Sequence, residues 1–380
     1  MQQYFDIATN YGFANYMFQT NEGPSFPAHQ FILSGTSAPL PPPNLNFVAE
    51  NASFYDSGCP HPESTPFLVD PAGNETTQPD DCYTHKTLVD QLDANHVTWR
   101  YYTPTQDVIW DAPAAISGIC GTVVNGNCTG SDFINNVIWP GKNHTSLIPA
   151  IPFLQDVISC NLQAVSWVIP DAQFSDHPDT GSLGPSYVAN LVDAIGKATT
   201  CDKGAGYWSD TAIFITWDDW GGWFDHVPPP AFYRGTDNPP TCPSNLIPNG
   251  WGCGYVYGFR VPLLVVSAYT QAGYVSGAIS GTTTYPPPKQ YTHDSGSILA
   301  FIENNFGLKN IAYPDLYYAD YNAIDWLPDR SNIPLSDFFP GPYRSFTPIS
   351  PASGYDANYF LNYYTNHNAT PQGPDGDDAD

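Results

Sequence analysis

The segment TAIFITWDDWGGWFDHVPPP, residues 211–230, concentrates reactive side chains in a protein of which only 13% is Asp, Glu, Lys or Arg. Asp218 and Asp219 close an apolar run, two glycines follow, and Asp225 and His226 precede three prolines. Adjacent carboxylates at a strand end offer hard oxygen donors to a divalent cation, and glycines let backbone and ligand approach closely. A solvated loop with aspartate caps would account for the same letters. A second grouping, SDHPD at 175–179, sets His177 just after another apolar run, AVSWVIP. A histidine there either exchanges protons with a substrate or is structural. The third is GPSFPAHQF, in which Ser25 lies between two prolines near a helix start. Helix N-termini attract anions through their N–H groups and dipole. Such a serine is an N-cap or, with its pKa lowered by a metal, a nucleophile toward phosphorus.

The elements that must position these residues follow from periodicity. Helices are predicted over 2–18, with Tyr4, Phe5, Ala8 and Phe13 as the apolar side, and over 28–34, 84–97, 151–160, 184–198 and 294–308, the last capped by Asp294 or Ser295. TWRYYTP (98–104), AVSWVIP (164–170), TAIFITW (211–217) and FRVPLLVVSAY (259–269) read as strands. Residues 36–80 read as irregular and Pro-rich, and 105–150 as mostly loop. The rhythm of helix and buried apolar strand predicts an α/β fold with a mainly parallel sheet sandwiched between helices. In such sheets ligands bind beyond the carboxyl ends of strands, where Asp218, Asp219 and His177 all fall. A single domain is expected over 1–369, followed by a disordered acidic tail, TPQGPDGDDAD, at 370–380.

Composition narrows the partners. A net charge of -26 with 11 Lys and Arg leaves no cationic cluster for nucleic acid or for an anionic membrane surface. A phosphate ligand would need a metal ion, histidines or backbone N–H groups. The eight cysteines include no C-x-x-C, so disulfides in an oxidising compartment are expected, against the alternative of buried free thiols. Sequence neighbours suggest Cys59–Cys82, Cys120–Cys128, Cys160–Cys201 and Cys242–Cys253. Together these features indicate a secreted or periplasmic protein. No stretch reaches the roughly 18 apolar residues of a membrane span, and MQQYFDIATNYGF lacks the pattern of an export signal.

GPSFPAHQFILSGTS, VSWVIPDAQFSDHP, TAIFITWDDWGGWFDHVPPP, YGFRVPLLVVSAY and GSILAFIENNFGL occur in this order. They resemble the bacterial phosphoesterase family that holds the phosphocholine-type phospholipases C and an acid phosphatase branch, with a fold similar to the alkaline phosphatase superfamily. The resemblance covers roughly residues 1–345 and implies a metal-dependent hydrolase of phosphoric esters. By it Ser25 is the nucleophile that becomes phosphorylated, Asp218 and Asp219 hold one divalent metal with Ser25, and His177 contacts the phosphoryl group or the leaving oxygen. Asp225 and His226 match an Asp-His pair, with His226 supporting the site or acting as leaving-group acid. His29 stands where many relatives have Asn or Arg and belongs beside the site without an assigned role. Relatives also carry an early strand followed by a Glu-Asn pair of metal ligands, and the 24 residues before Ser25 contain none. The chain is thus expected to be the larger, C-terminal part of such an enzyme.

The implied substrate is a small phosphoester or a phospholipid headgroup, monoester or diester. Trp217, Trp220 and Trp223 could cage a quaternary ammonium or serve packing. Two other readings stand beside this one. A glycosidase would use two carboxylates, with Asp225 partnering Asp218 or Asp219. A degenerate phosphoesterase would only bind.

Overall fold

Leu263–Ser267 runs LLVVS, and every residue in it is buried. Branched apolar side chains without polar alternation suit a strand covered on both faces. It belongs to the largest sheet of the computed structural model, which describes residues 1–21, 23–39, 46–50, 57–62, 66–69, 74–77, 82–106, 108–142, 151–177, 181–230, 257–278, 289–311 and 333–372. In chain order the strands are β1 (Gly12–Ala14), β2 (Phe47–Glu50), β3 (Phe67–Val69), β4 (Glu75–Thr77), β5 (Trp99–Tyr102), β6 (Val123–Val124), β7 (Asn127–Cys128), β8 (Val137–Ile138), β9 (Val165–Val168), β10 (Ala212–Thr216), β11 (Leu263–Ser267) and β12 (Tyr274–Ser276). The described α-helices are α1 (Gln2–Asn10), α2 (Ser25–Ser34), α3 (Leu88–Ala94), α4 (Ser117–Cys120), α5 (Ser131–Asn136), α6 (Pro152–Ile158), α7 (Gly184–Lys197), α8 (Ser295–Phe306), α9 (Ala357–Leu361) and α10 (Tyr363–His367).

The fold is mixed α/β, and two sheets position the candidate site. One has the order β10-β11-β1-β12, in which β10 and β1 both run antiparallel to β11 and β1–β12 is parallel. The other, β8-β5-β9, is parallel throughout. The expected single, mainly parallel sheet is therefore corrected among the described residues to a mixed sheet and a small parallel one. An uninterrupted apolar run such as FRVPLLVVSAY specifies burial on both faces but not strand direction. β9 and β10 each close one edge of their sheet, and all five residues of β10 are half-buried. Residues 36–80, expected to be irregular, contribute the antiparallel set β2-β3-β4.

Helix boundaries follow local chemistry. α2 begins at Ser25, earlier than the expected Ala28, because Pro24 is extended and Pro27 falls in the first turn, where its missing N–H is tolerated. It ends at Gly35 in the left-handed region, φ 71°. α8 starts on a reciprocal cap between Asp294 and Ser297. The helix expected over 2–18 stops at Asn10, and Phe13 enters β1. Tyr4 and Ile7 face the core, whereas Phe5 is 64% exposed. That reverses the expected place of Phe5.

Three of the four expected cysteine pairs are joined, Cys59–Cys82, Cys120–Cys128 and Cys160–Cys201, with Cα separations of 4.3, 4.6 and 5.1 Å. Cys242 and Cys253 lie outside the described residues, as do Glu22 and the tail from residue 373. No described helix is long and apolar enough to cross a membrane.

Candidate active site

α2 and the end of β10 meet at one point. Ser25, the first residue of α2, is 2% exposed, and its Oγ donates to Asp219 Oδ2 at 3.3 Å. Four residues on, His29 lies on the same helix face. Its Nε2 is 3.3 Å from Asp218 Oδ2. One helix face thus offers a hydroxyl and an imidazole to two successive carboxylates. His29 Nδ1 lies 3.3 Å from the Tyr101 hydroxyl on β5, and that hydroxyl donates its proton to the Trp110 carbonyl at 2.7 Å. Both ring nitrogens of His29 therefore face oxygen atoms. Burial pushes the Asp218 carboxyl up, but hydrogen bonding and charge from His29, with help from Ser25, outweigh it and hold the group below its ordinary value.

Backbone geometry explains the glycine pair. Gly221 and Gly222 have φ of 65° and 71°, both left-handed, where residues with a Cβ are strained. Gly221 N–H donates to Asp219 Oδ1 at 2.5 Å, and Trp223 N–H to Trp220 O at 3.3 Å. The turn leaves Asp219 with one oxygen held by backbone and the other at Ser25.

Asp225 and His226, adjacent in sequence, part company. Arg260 grips Asp225 with two parallel bonds, Nε to Oδ2 at 2.6 Å and Nη2 to Oδ1 at 2.8 Å, and also donates to Asn15 O at 2.9 Å. Hydrogen bonding to Arg260 is the main cause that holds the Asp225 carboxyl below its ordinary range. Asp225 thus braces the loop after β10 against the chain that follows β1. His226 is exposed, with its ring edge-on to Phe224 at 5.5 Å, and no described contact brings it to Ser25, Asp218 or Asp219.

His177 is half-buried and reaches the site through Trp110. That indole stacks on His29 at 6.3 Å and meets the His177 ring at 6.4 Å. The segment before His177 is held tightly. His177 N–H donates to Ser175 Oγ at 3.0 Å. Asp176 adopts φ 63° and accepts a 2.5 Å bond from the Tyr4 hydroxyl on α1. Gly184, opening α7, makes room for that carboxylate, since a Cβ there would sit 2.2 Å from Asp176 Oδ1. Pro178 and Asp179 lie outside the described residues.

The structure adds Trp110, Tyr101 and Tyr4 to the residues that sequence singled out. The only cue to Trp110 was a Trp-Asp pair inside a stretch read as loop. The three tryptophans of the 217–223 segment do not converge. Trp217 meets Tyr4 edge-on at 5.0 Å, Trp220 packs on Phe259 at 5.7 Å, and Trp223 is 76% exposed.

Among the described residues no group of three or more His, Cys, Asp or Glu has the arrangement of a metal site. The donors present at Ser25, Asp218 and Asp219 are all oxygen. They fit part of a site for a hard divalent cation, which prefers about six to eight oxygens.

The chain is similar to several known proteins. The chain is 29% identical over 275 residues to phospholipase C B of Mycobacterium tuberculosis, covering 70% of this chain and 47% of that protein. It is 27% identical over 248 residues to a non-hemolytic phospholipase C of Pseudomonas aeruginosa, covering 60% and 30%. It is 34% identical over 158 residues to the non-hemolytic phospholipase C of Burkholderia pseudomallei, covering 40% and 20%. The chain spans less than half the length of these relatives. A sequence profile matches residues 1–309, and by that match the chain belongs to the Phosphoesterase family.

Proposed function

We propose that the protein is a metal-dependent hydrolase of phosphoric esters that works through a phosphoserine at Ser25. The observation that carries this reading is the Ser25 hydroxyl at the start of α2, 3.3 Å from Asp219, with His29 paired to Asp218 one turn along. A phosphoryl group there would meet the first-turn N–H groups of Ser25 and Phe26, which a helix leaves without intrahelical partners. Asp219, already accepting from Ser25 Oγ, is placed to take its proton as oxygen attacks phosphorus. The bond to the leaving oxygen breaks as a proton arrives there, for which His177 is the candidate donor. Water then hydrolyses the phosphoserine. A divalent cation held by Asp218, Asp219 and Ser25 would supply the positive charge that lowers the serine pKa and offsets charge on the phosphoryl oxygens.

The accompanying fold is alkaline phosphatase-like, supported by Asp218 after β10 and Tyr101 of β5, from different sheets, meeting on His29. The same reading takes residues 1–369 as one domain. α9 and α10 pack Phe360 and Tyr363 on Phe174, while Gln372 N–H donates to Asp171 Oδ2 and Ala172 N–H donates to Gln372 O. Three disulfides favour an oxidising location, secreted or periplasmic. The names of the similar phospholipases C support a phospholipid headgroup or a similar small phosphoester as the substrate class. A glycosidase loses its second carboxylate, since Asp225 is committed to Arg260.

Assays with p-nitrophenyl phosphate and p-nitrophenylphosphorylcholine, each with a panel of divalent metals, test the proposal. Hydrolysis that a chelator removes and one metal restores is expected. Inactivity toward both esters with every metal would leave a binding protein. The Tyr4–Asp176 bond gives a finer check on His177. Tyr4→Phe is expected to lower kcat by about fivefold, equivalent to about 1 kcal/mol, with little change in KM. An unchanged kcat would show that His177 does not depend on this tie.

A further inference from the structure

The turn that follows the two acids directs its apolar side chains into solvent. Trp223 and Phe224 are 76% and 77% exposed, the highest values among the described large apolar residues. They are adjacent, so they form a patch rather than scattered exposed positions. The turn is built to present them. Two left-handed glycines reverse the chain, Trp223 N–H closes the turn on Trp220 O, and Trp220 anchors its base against Phe259. Against Gly258 the Trp220 indole packs so closely that a Cβ there would lie 2.6 Å away.

Charge around the patch is also unusual for this protein. The net charge is -26, yet the stretch from Trp220 to Pro230 contains one acid, Asp225, and Arg260 neutralises it through two bonds. His226 and Pro228 beside it are exposed as well. Along residues 220–230 the chain is aromatic and proline-rich, and its one carboxylate is paired. Aromatic rings of this kind settle at the boundary between lipid headgroups and acyl chains. Asp219 lies only four positions before Trp223, and its carboxylate meets Ser25. A lipid surface touching the turn would thus bring its phosphates beside the candidate nucleophile.

We propose that the Trp223–Phe224 turn is an interfacial anchor that seats the protein on a zwitterionic phospholipid surface, with the Ser25–Asp219 site facing the headgroups. The inference rests on the phosphoester reading for its purpose, but the binding itself does not require turnover. The strong negative charge elsewhere disfavours anionic bilayers.

Flotation with phosphatidylcholine vesicles, in the presence of a chelator, tests the anchor on the whole protein and on a double variant, Trp223→Ser with Phe224→Ser. Both side chains are exposed, so the variant is expected to fold, and its hydrolysis of a soluble chromogenic ester should stay within about twofold of the original. Vesicle affinity should fall by about tenfold or more, because interfacial binding scales with the apolar area inserted. Phosphatidylglycerol vesicles should bind the unmodified protein more weakly than phosphatidylcholine. Equal vesicle affinity of variant and original overturns the anchor, as does failure of the original to bind phosphatidylcholine while soluble hydrolysis is intact. Self-association in ultracentrifugation that the double variant abolishes would also overturn it, marking the turn as a contact between copies. Binding that the double variant loses, in a protein that hydrolyses no ester, would support the anchor and remove the phosphoester reading instead.

Discussion

Ser25→Ala is expected to lower phosphoester hydrolysis by about a thousandfold while leaving the fold intact. The substitution removes the only oxygen at the start of α2 that could form a covalent bond to phosphorus. A thousandfold corresponds to about 4 kcal/mol at ~1.4 kcal/mol per tenfold, in keeping with loss of a covalent route. The hydroxyl's hydrogen bond to Asp219 is long, 3.3 Å, so its removal should cost stability no more than about 1 kcal/mol. Steady-state rates paired with thermal melts separate the two effects. Acid-quenched reactions should yield a phosphorylated peptide containing Ser25 in the original protein only. A variant that keeps more than about a tenth of the original rate would remove Ser25 from the nucleophile role.

Asp218→Asn is expected to be comparably damaging, with hydrolysis reduced by about a hundredfold or more and divalent metal affinity by at least about tenfold. A neutral amide is a poorer donor to a hard cation, and it leaves His29 without its charged partner. Calorimetric titration with several divalent metals is the measurement. Unchanged affinity in both Asp218→Asn and Asp219→Asn would return these acids to a structural role. The variant should also change the response to acid. The folded protein holds the Asp218 carboxyl below its ordinary value. Its pairing therefore stabilises the fold at neutral pH, and that contribution fades as pH falls from the ordinary carboxylate range through the lower folded value. Asp218→Asn should flatten the pH dependence of stability in that window.

Local chemistry was legible in the sequence where a single residue forces a backbone choice. Two glycines after two acids were read as allowing close approach of backbone at a strand end, and both adopt left-handed φ. The Pro-Ser-Phe-Pro run marked a helix start, and the neighbouring cysteines in three pairs gave the joined bridges. Direction was not legible. β11 is buried throughout, and nothing in its letters distinguishes a parallel neighbour from an antiparallel one. Side-chain destination was only partly legible. Asp225 and His226 adjoin, yet the chain bends at His226, and one turns in to Arg260 while the other lies exposed. Trp110 and Tyr101 escaped notice because their ties to His29 and His177 join distant segments, and no short pattern encodes a long-range contact. Tyr4 was expected in the core by its helical position, and it is there, but its bond to Asp176 depends on the packing of α1 beside α7.

β10 lies at the margin of its sheet among the described residues, with β11 on one side and all five of its residues half-buried. The two carboxylates that define the candidate site follow this strand, just past Trp217. Marginal strands open more readily than central ones, so amide deuteration should enter β10 before it enters β11. A ligand bridging Asp218, Asp219 and α2 would tie the strand to its neighbour and slow that opening in proportion to occupancy. The deuteration rate of Ala212–Thr216 is then a gauge of how full the site is, readable with substrates, products or inhibitors that undergo no reaction at all.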